Sequence, residues 1–486
     1  MKSNILPFSS GENIFFSELL ACLLTFIAFA LILVCSELCN RFKKAPVEFC
    51  RKFVHLSSGI IISLFPWIFS SLWSPIFLGA VSCTAIYISH KLQLLKSIQN
   101  AERKSYSDFY YIIATFGLFA ISKKFPVFYM ISILTLSVAD VLAALLGKTY
   151  QQISYNVEQH KKSLEGSLVF FIIAFLIIHL PLLLMTELDR PLCVLIAFQT
   201  AIVVTSLEAI CLNGLDNLVV PFSVFFLLVK LSENSLETVS YYLGIHGIII
   251  LLVAISALRY KILSFSLAIL LHLFLLTAYA LGGLYWIYTP LLSISLFLTG
   301  FYSLSSFSQE EQQPYQVLAF FYMSLIPFIC IFLDNAFNTF PFLYPFFLFS
   351  KGHFFYYVFV GVSIAQLSIA LFKVNYKSSS SHYLNLKKKS LSTFSLINLS
   401  CFFFIAPFAI WITVTRFFFS YLLLCLSISF LSSLIFYLGF EKKRFSKPFP
   451  WEFRYQTLSV ATALLLLLPI FIMLLINSPP QIHIHP

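Results

Sequence analysis

Long apolar runs separated by short polar segments dominate the pattern of this chain of 486 residues. A helix needs about 20 apolar residues to cross the hydrocarbon of a bilayer, and runs of that length recur throughout the sequence. We count about 16 candidate spans, which begin near residues 14, 53, 73, 108, 126, 167, 191, 217, 240, 262, 284, 316, 353, 393, 416 and 456. The pattern therefore predicts an all-α, polytopic integral membrane protein with about 16 transmembrane helices.

The composition agrees with this interpretation. Hydrophobic residues make up 59% of the chain and charged residues 10%, whereas a soluble domain has about 25% charged residues. The net charge of +11 comes from short basic clusters between apolar runs, a pattern typical of loops that meet anionic headgroups or a phosphorylated substrate and not of a nucleic-acid partner. The ten cysteines form no CxxC pair, so neither zinc nor disulfides are predicted.

Basic loops set the predicted orientation in the membrane. Placing residues 41–52 in the cytoplasm puts the polar loops 90–106, 147–166 and 212–217 on the same side. The stretch 337–350 contains two prolines, and we interpret it as interfacial or re-entrant because later basic loops then also lie inside. Both ends of the sequence are then expected outside, and the unusual polar loops of the first half all open on one face.

Four acidic residues lie at the predicted cytoplasmic ends of spans: Asp140, Glu165, Glu208 and Asp216. A charge in or beside a span is expensive, so each is a candidate functional residue. Basic residues fall in the same layer: Arg51, Lys52, His55, Lys148 and Lys162. Carboxylates and lysines at a water-facing membrane surface suit a magnesium-bound phosphate chain, because Mg²⁺ takes one or two carboxylates and leaves its other positions to water and phosphate.

Each of these residues also has a structural explanation. Asp140 could hydrogen-bond to a neighbouring helix, and Asp216 could begin a helix after a turn at 213–214. Ser163 is a preferred N-cap residue, and Glu165 follows it where the helix dipole favours an anion. Taken one at a time, these residues do not require a functional site.

Four segments in a fixed order resemble the polyprenol kinase family, which includes phytol kinase, dolichol kinase and the CTP-dependent diacylglycerol kinase of fungi. The segments are RKFVHLSSG (51–59), SVADVLAALLGK (137–148), KSLEGS (162–167) and LEAICLNGLDNLVVP (207–221). The D-N-x-x-x-P ending of the last segment is most similar to the phytol kinase branch.

The resemblance implies phosphoryl transfer from a nucleoside triphosphate to the primary hydroxyl of a lipid alcohol such as phytol, geranylgeraniol or a dolichol-like alcohol, at the cytoplasmic membrane face. It implies CTP as donor, with ATP or UTP as alternatives, Mg²⁺ as cofactor, and membrane lipids but no nucleic acid as partners. Residues 1–235 would form the membrane-embedded kinase domain, and residues 236–486 an additional multi-span domain of unclear role. The expected location is a bacterial inner membrane or an organelle membrane such as that of the plastid or endoplasmic reticulum.

Site residues are carried over by motif. The implied catalytic set is Asp140, Lys162, Glu165, Glu208 and Asp216, of which Asp140 and Asp216 would hold the metal. The implied nucleotide-binding set is Lys148, Ser163, Gly166, Ser167, Asn217, Arg51, Lys52 and His55. The chain departs from the family pattern at Ala139 and Gln151, where the family commonly has glycine, so the loop after Lys148 is expected to cradle phosphate less closely.

Two other classes of function remain open at this point. A transporter or flippase of a lipid or small anionic substrate also carries intramembrane charges, but it predicts discontinuous helices at mid-membrane and paired repeats. The charges here cluster at span ends, which favours chemistry at the membrane surface. A non-catalytic membrane scaffold is the third interpretation, which the departures at Ala139 and Gln151 keep open.

Overall fold

The structure is a computed structural model of the chain. It describes residues 11–43, 45–92, 107–158, 160–260, 263–305, 317–339, 354–379, 390–412, 418–443 and 451–476. In these residues the chain is helical apart from turns and one two-stranded sheet. The all-α prediction is therefore confirmed, with the small sheet as an addition. The chain divides into two compact units, Met1–Ile248 and Ile249–Pro486.

The first unit begins with α1 (Gly11–Lys43), α2 (Val47–Ser63), α3 (Phe65–Ile68), α4 (Trp73–Leu92), α5 (Ser107–Ile121) and α6 (Pro126–Leu134). A π-helical turn (Thr135–Ala139) joins α6 directly to α7 (Asp140–Thr149). An antiparallel hairpin of β1 (Ser154–Val157) and β2 (His160–Ser163) follows, with Tyr155 opposite Lys162. The next helices are α8 (Leu164–Met185), α9 (Arg190–Ile210), α10 (Asp216–Ser232) and α11 (Leu236–Arg259). The division between the units lies within α11, and the predicted domain boundary at residue 235 lies just before this helix.

The second unit continues with seven further helices. They are α12 (Phe265–Gly282), α13 (Tyr285–Ser305), α14 (Val317–Thr339), α15 (Phe354–Ser379), α16 (Ser390–Ile412), α17 (Phe418–Lys443) and α18 (Trp451–Ile476). Helix α15 is buried along most of its length and forms the centre of this unit's core. The interfacial segment predicted at 337–350 begins in the last turn of α14, and its residues 340–350 lie outside the described part of the chain.

Each predicted span corresponds to a helix, and the largest difference between a predicted and an observed start is 53 against 47. Among the described residues, nine helices are long and apolar enough to cross a membrane. The count of about 16 spans is therefore not confirmed. Helices α2, α5 and α10 have 17, 15 and 17 residues, fewer than the roughly 20 that a perpendicular crossing needs.

Helix α8 shows how the first unit packs. Its fully buried residues recur every fourth position, on one face of the helix: Phe170, Ala174, Ile178 and Leu182. They belong to the same core cluster as buried residues of α6, α9 and α10. The opposite face exposes Leu168, Ile172, Leu176 and Leu180. A helix that is apolar on every face and exposed on one of them is typical of a membrane protein, in which lipid covers the outer face.

Candidate functional site

One cavity of about 1020 Å³ lies within the first unit. Its volume reaches the upper end of the roughly 300–1,000 Å³ range of small-molecule sites. Twelve of the thirteen residues predicted from the sequence line it: Arg51, Lys52, His55, Asp140, Lys148, Lys162, Ser163, Gly166, Ser167, Glu208, Asp216 and Asn217. The structure thus brings together four sequence segments in one cavity, and it leaves Glu165 outside the lining.

The first charged pair of the cavity joins residues 88 positions apart in the sequence. Lys52 Nζ lies 2.5 Å from Asp140 Oδ2, and the two side chains are only 9% and 16% exposed. His55 Nε2 lies 3.9 Å from the same carboxylate oxygen. The ring of His55 also contacts Tyr111, with 4.6 Å between the ring centroids. Asp140 is therefore held by a lysine and flanked by an imidazole at the cavity wall.

A close approach between α2 and the π-helical turn creates this pair. A Cβ atom on Gly59 would overlap the side chain of Ser137, so only glycine lets α2 lie so near the turn. Lys52 is seven residues before Gly59, which is two turns along the same face of α2. Asp140 directly follows the π-helical turn, an element that often occurs at functional sites.

The second charged pair joins β2 to the end of α9. Lys162 Nζ lies 2.8 Å from Glu208 Oε1 and also donates to the backbone carbonyl of Glu208. That carbonyl belongs to the last turn of α9, where backbone acceptors have no partner within the helix. Burial is the largest single influence and lowers the pKa of Lys162, but the charge of Glu208, its hydrogen bond to Lys162 and the charge of Asp216 together outweigh burial, so the net pKa is above the usual value. Lys162 is therefore a fixed positive charge at neutral pH.

The KSLEGS segment starts α8 as predicted. Ser163 is the N-cap, and its Oγ accepts the Gly166 N–H at 3.1 Å and donates to the Gly147 carbonyl at 3.3 Å. A Cβ atom on Gly147 would lie 2.7 Å from Gly166 Cα, so the two glycines let α7 and α8 touch through their backbones. This contact places Lys148, at the end of α7, and the start of α8 around the same cavity.

Glu165 stabilises a loop and does not line the cavity. Its Oε1 accepts the backbone N–H groups of Gln152 at 3.1 Å and Ile153 at 2.8 Å. Glu165 thus has a positioning contact, and its assignment to the catalytic set stays a prediction. The carboxylate anchors the loop in which Gln151 departs from the family pattern.

Asp216 is the first residue of α10 and follows a sharp turn. Asn213 and Gly214 have φ angles of 55° and 82°, which confirms the predicted turn. The Asp216 carboxyl makes no hydrogen bond or ion pair with a residue in the described part of the chain. Burial and, next, the negative charge of Asp140 raise its pKa to about 6. Asp216 is thus a cavity carboxyl that has no paired lysine in the described part of the chain.

The side chains of Asn217 and Ser167 hold the walls of the cavity together. Asn217 Nδ2 donates to the backbone carbonyl of Ser107 at 3.1 Å and to its hydroxyl at 2.5 Å, which ties α10 to the start of α5. Ser167 Oγ lies 2.9 Å from the Tyr155 hydroxyl, which ties α8 to β1. Both residues line the cavity through contacts that position neighbouring elements.

Comparison with known proteins places these observations in a family. The chain is 30% identical over 193 residues to phytol kinase from Synechocystis sp., and the match covers 39% of this chain and 82% of that relative. The chain belongs to the polyprenol kinase family. No protein-family model matches it, and no solved structure matches it.

Mg²⁺ fits the donor set that this polyprenol kinase family member provides. Among the described residues, no group of three or more His, Cys, Asp or Glu side chains could hold a metal on its own. Mg²⁺ does not need such a group, because one or two carboxylates with water and phosphate oxygens complete its shell. Asp140 and Asp216 line the same cavity, their charges act on each other, and Asp216 has no other partner in the described residues.

Two basic donors of the cavity have capacity for an anion. Arg51 pairs with Glu48 at 2.9 Å, yet its Nε is buried without a hydrogen-bond partner among the described residues. Within the same part of the chain, His55 Nε2 is likewise buried without a hydrogen-bond partner. A buried polar atom that makes no hydrogen bond is costly unless a ligand satisfies it. Arg51 and His55 both line the cavity, so a ligand bound there could satisfy these two atoms.

Sequence reasoning missed Tyr111 and Tyr155, which line or support the cavity. Tyr111 packs on His55 from α5, and its hydroxyl lies 3.4 Å from Ser137 Oγ. A tyrosine within an apolar run of a polyprenol kinase family member carries little signal by itself. Only the fold shows that α5 packs against α2 where Tyr111 contacts His55.

Proposed function

We propose that this chain is a lipid-alcohol kinase, which transfers the terminal phosphoryl group of a nucleoside triphosphate to the primary hydroxyl of an isoprenoid alcohol. The observation that carries the proposal is a cavity with two chemically different ends. Lys52, Asp140 and Lys162 line one part of it, and Phe26 and Phe29 of α1 line another. Such a cavity suits a reaction between a polyanionic donor and an acceptor with a hydrocarbon chain.

The reaction balances without an oxidant or reductant. The alcohol oxygen forms a bond to the γ-phosphorus, and the bond from that phosphorus to the β,γ-bridging oxygen breaks. A nucleoside diphosphate leaves, the product is a lipid monophosphate, and the hydroxyl proton passes to a carboxylate of the cavity wall. Catalysis of such a transfer consists mainly of positioning and of stabilising negative charge.

The charged residues divide these tasks. Lys148, Lys162 and Arg51 would contact the phosphate chain, since they lie around one cavity and Arg51 Nε has no hydrogen-bond partner among the described residues. Asp140 and Asp216 would hold Mg²⁺, which would supply positive charge to the phosphate oxygens. Lys52 keeps Asp140 ionised and in place through the 2.5 Å contact.

The donor is CTP and the acceptor is an isoprenoid alcohol such as phytol or geranylgeraniol, as the resemblance to phytol kinase and its relatives implies. The similarity to the Synechocystis phytol kinase supports the choice of acceptor. The reaction takes place at the cytoplasmic face of a bacterial inner membrane or an organelle membrane. For the second unit we propose the role of a membrane scaffold.

A transfer assay tests the proposal. The purified protein in lipid nanodiscs receives γ-labelled CTP, ATP, UTP or GTP in turn with phytol, geranylgeraniol, a dolichol-type alcohol or diacylglycerol. We expect a labelled lipid monophosphate with CTP and an isoprenoid alcohol. The Asp140→Asn variant should lose this product. The matched Asp189→Asn variant should keep it, because Asp189 is exposed, makes no capping bond and does not line the cavity. No labelled lipid with any nucleotide would overturn the proposal.

A further inference from the structure

The apolar part of the cavity has one wall from α1. Phe26, Phe29 and Leu33 line the cavity and recur at spacings of three and four residues, so they share one face of the helix. Helix α1 contains a segment that is long and apolar enough to cross a membrane. This wall therefore lies within the membrane and presents aromatic and aliphatic side chains to the cavity.

Helix α1 is fixed at both ends of that wall. Towards its start, the Glu18 carboxylate accepts the backbone N–H of Ser71 at 2.6 Å and the hydroxyls of Ser71 and Ser74, where α4 begins. Towards its end, Ser36 donates to the Cys50 carbonyl of α2 at 3.5 Å. Between these two attachments the helix borders the cavity. The position of the wall is thus set by contacts outside it.

The facing wall on α4 consists of small residues. Ser82, Ala85 and Ser89 line the cavity at the same helical spacing. Further from the charged end, Phe116 of α5 lies against Gly79 of α4, where a Cβ atom would come within 2.6 Å of the Phe116 ring. Small side chains keep the space open between α1 and α4, and the Phe116 ring closes it beyond them.

The cavity extends from the charged residues towards Phe116. Asp108 and Tyr111 line it at the start of α5. Phe116, which also lines it, is eight residues after Asp108, and this separation is about 12 Å along a helix. A ligand with a polar head and a hydrocarbon chain matches this order of residues. A second phosphorylated ligand does not match it, because the lining residues of α1 and α4 have apolar side chains and hydroxyls but no positive charge.

From this geometry we infer that the groove between α1 and α4 binds the hydrocarbon chain of the lipid alcohol, and that Ala85 and Phe116 set the length of chain accepted. The inference rests on the proposed function for the identity of the head group. Ala85 leaves room for the chain beside Phe29, and Phe116 ends the groove. Both are specificity residues, since neither contacts the reacting atoms.

The test compares kcat/KM for geraniol, farnesol and geranylgeraniol, which share a head group and differ in chain length. In Ala85→Phe, we expect the ratio of geranylgeraniol to geraniol activity to fall about tenfold or more, because overfilling a packed space costs enough to exclude the longer chain. Phe116→Ala should raise the same ratio. The ratio is measured on one preparation, so a smaller folded fraction does not change it.

Ala80→Phe is the matched control. It is the same substitution on the same helix, at an exposed position that does not line the cavity, and we expect the wild-type ratio. Equal ratios in Ala85→Phe, Phe116→Ala and the wild type would overturn the inference. An equal change in Ala80→Phe and Ala85→Phe would do the same, because the effect would then not come from the groove.

A second measurement does not depend on transfer activity. Geranylgeraniol with a diazirine at the chain end is photolysed with the protein, and labelled peptides are identified by mass spectrometry. We expect labelling near Phe29, Ala85 and Phe116, reduced in Ala85→Phe and unchanged in Ala80→Phe. This labelling without any phosphorylated lipid would sink the proposed function and leave the groove in place. Labelling elsewhere would overturn the groove as an alcohol site. The same conclusion would follow if excess phosphatidylcholine reduced the labelling as strongly as excess unlabelled geranylgeraniol does.

Discussion

The two units bury different kinds of polar groups. In the first unit, Lys52 pairs with Asp140 and Lys162 pairs with Glu208 at the wall of a large cavity. In the described residues of the second unit, the buried polar side chains are hydroxyls and amides together with a histidine and a lysine. Asn398 is the centre of one such network, in which its Nδ2 lies within hydrogen-bond distance of two serine hydroxyls and a backbone carbonyl.

This difference separates groups that maintain a fold from groups that perform chemistry. A buried ion pair is a weak source of stability, because desolvation offsets much of the attraction between the charges. A fully hydrogen-bonded neutral network makes a core rigid without that cost. The charge pairs of the first unit therefore indicate a functional site, and the amide and hydroxyl network of the second unit indicates a structural core.

Among the substitutions that test this difference between the units, removal of the Lys162 amine should change activity most. We expect Lys162→Met to lower kcat/KM for the nucleotide about 10²- to 10³-fold, because a positioned donor to developing negative charge is lost. Initial rates, expressed per folded protein, are the measurement. Lys230→Met is the control, since Lys230 is exposed near the other end of α10. Similar rates in both variants would contradict the assignment of Lys162 to the phosphate site.

Gly147→Ala tests the geometry that joins the charged groups. Because the added Cβ would meet the backbone of Gly166 at 2.7 Å, α7 and α8 must separate, and we expect a loss of about 1–3 kcal/mol of stability with reduced activity. Gly244→Ala adds the same atom in open space within α11 and should stabilise that helix by up to about 1 kcal/mol. Thermal unfolding of the two variants gives the comparison. A Gly147→Ala variant as stable and active as the wild type would show that the close contact is dispensable.

The second unit should respond in stability and not in activity. Asn398→Ala removes a buried amide whose Nδ2 has three acceptors within hydrogen-bond distance and whose Oδ1 accepts from the Ser429 hydroxyl, and we expect a loss of about 1–3 kcal/mol with an unchanged rate per folded protein. Ser400→Ala, at an exposed position of the same helix, should stay within about 0.5 kcal/mol of the wild type. A rate that falls while the unfolding temperature stays constant would give the second unit a part in the reaction.

The helices were predictable because apolar length alone determines where a membrane helix begins. Predicted and observed starts agree at residues 73 and 126 and differ by at most one at several others. The number of spans was not predictable in the same way, since α5 has 15 residues and its apolar pattern does not show whether it crosses the membrane. The hairpin at 154–163 was missed, because its two strands have only four residues each.

Most of the charged residues that line the cavity were predictable as a set, but their arrangement was not. Motif order indicated that Asp140 and Lys162 belong together, whereas the Lys52–Asp140 contact depends on the π-helical turn and on Gly59, which no sequence period reveals. Glu165 shows the reverse problem. Its position in a motif predicted a catalytic role, but in the structure its carboxylate accepts hydrogen bonds from two backbone N–H groups and thereby holds a loop.

The most direct test of the central claim removes both charges of one pair. Lys52→Met combined with Asp140→Asn leaves two neutral side chains of similar size, so we expect stability within about 1 kcal/mol of the wild type. Either single variant leaves one charge unpaired and should be less stable than the double variant. The account predicts that the double variant folds normally and transfers no phosphoryl group to any lipid alcohol. A double variant with wild-type transfer activity would contradict it, because the pair would then serve the fold alone.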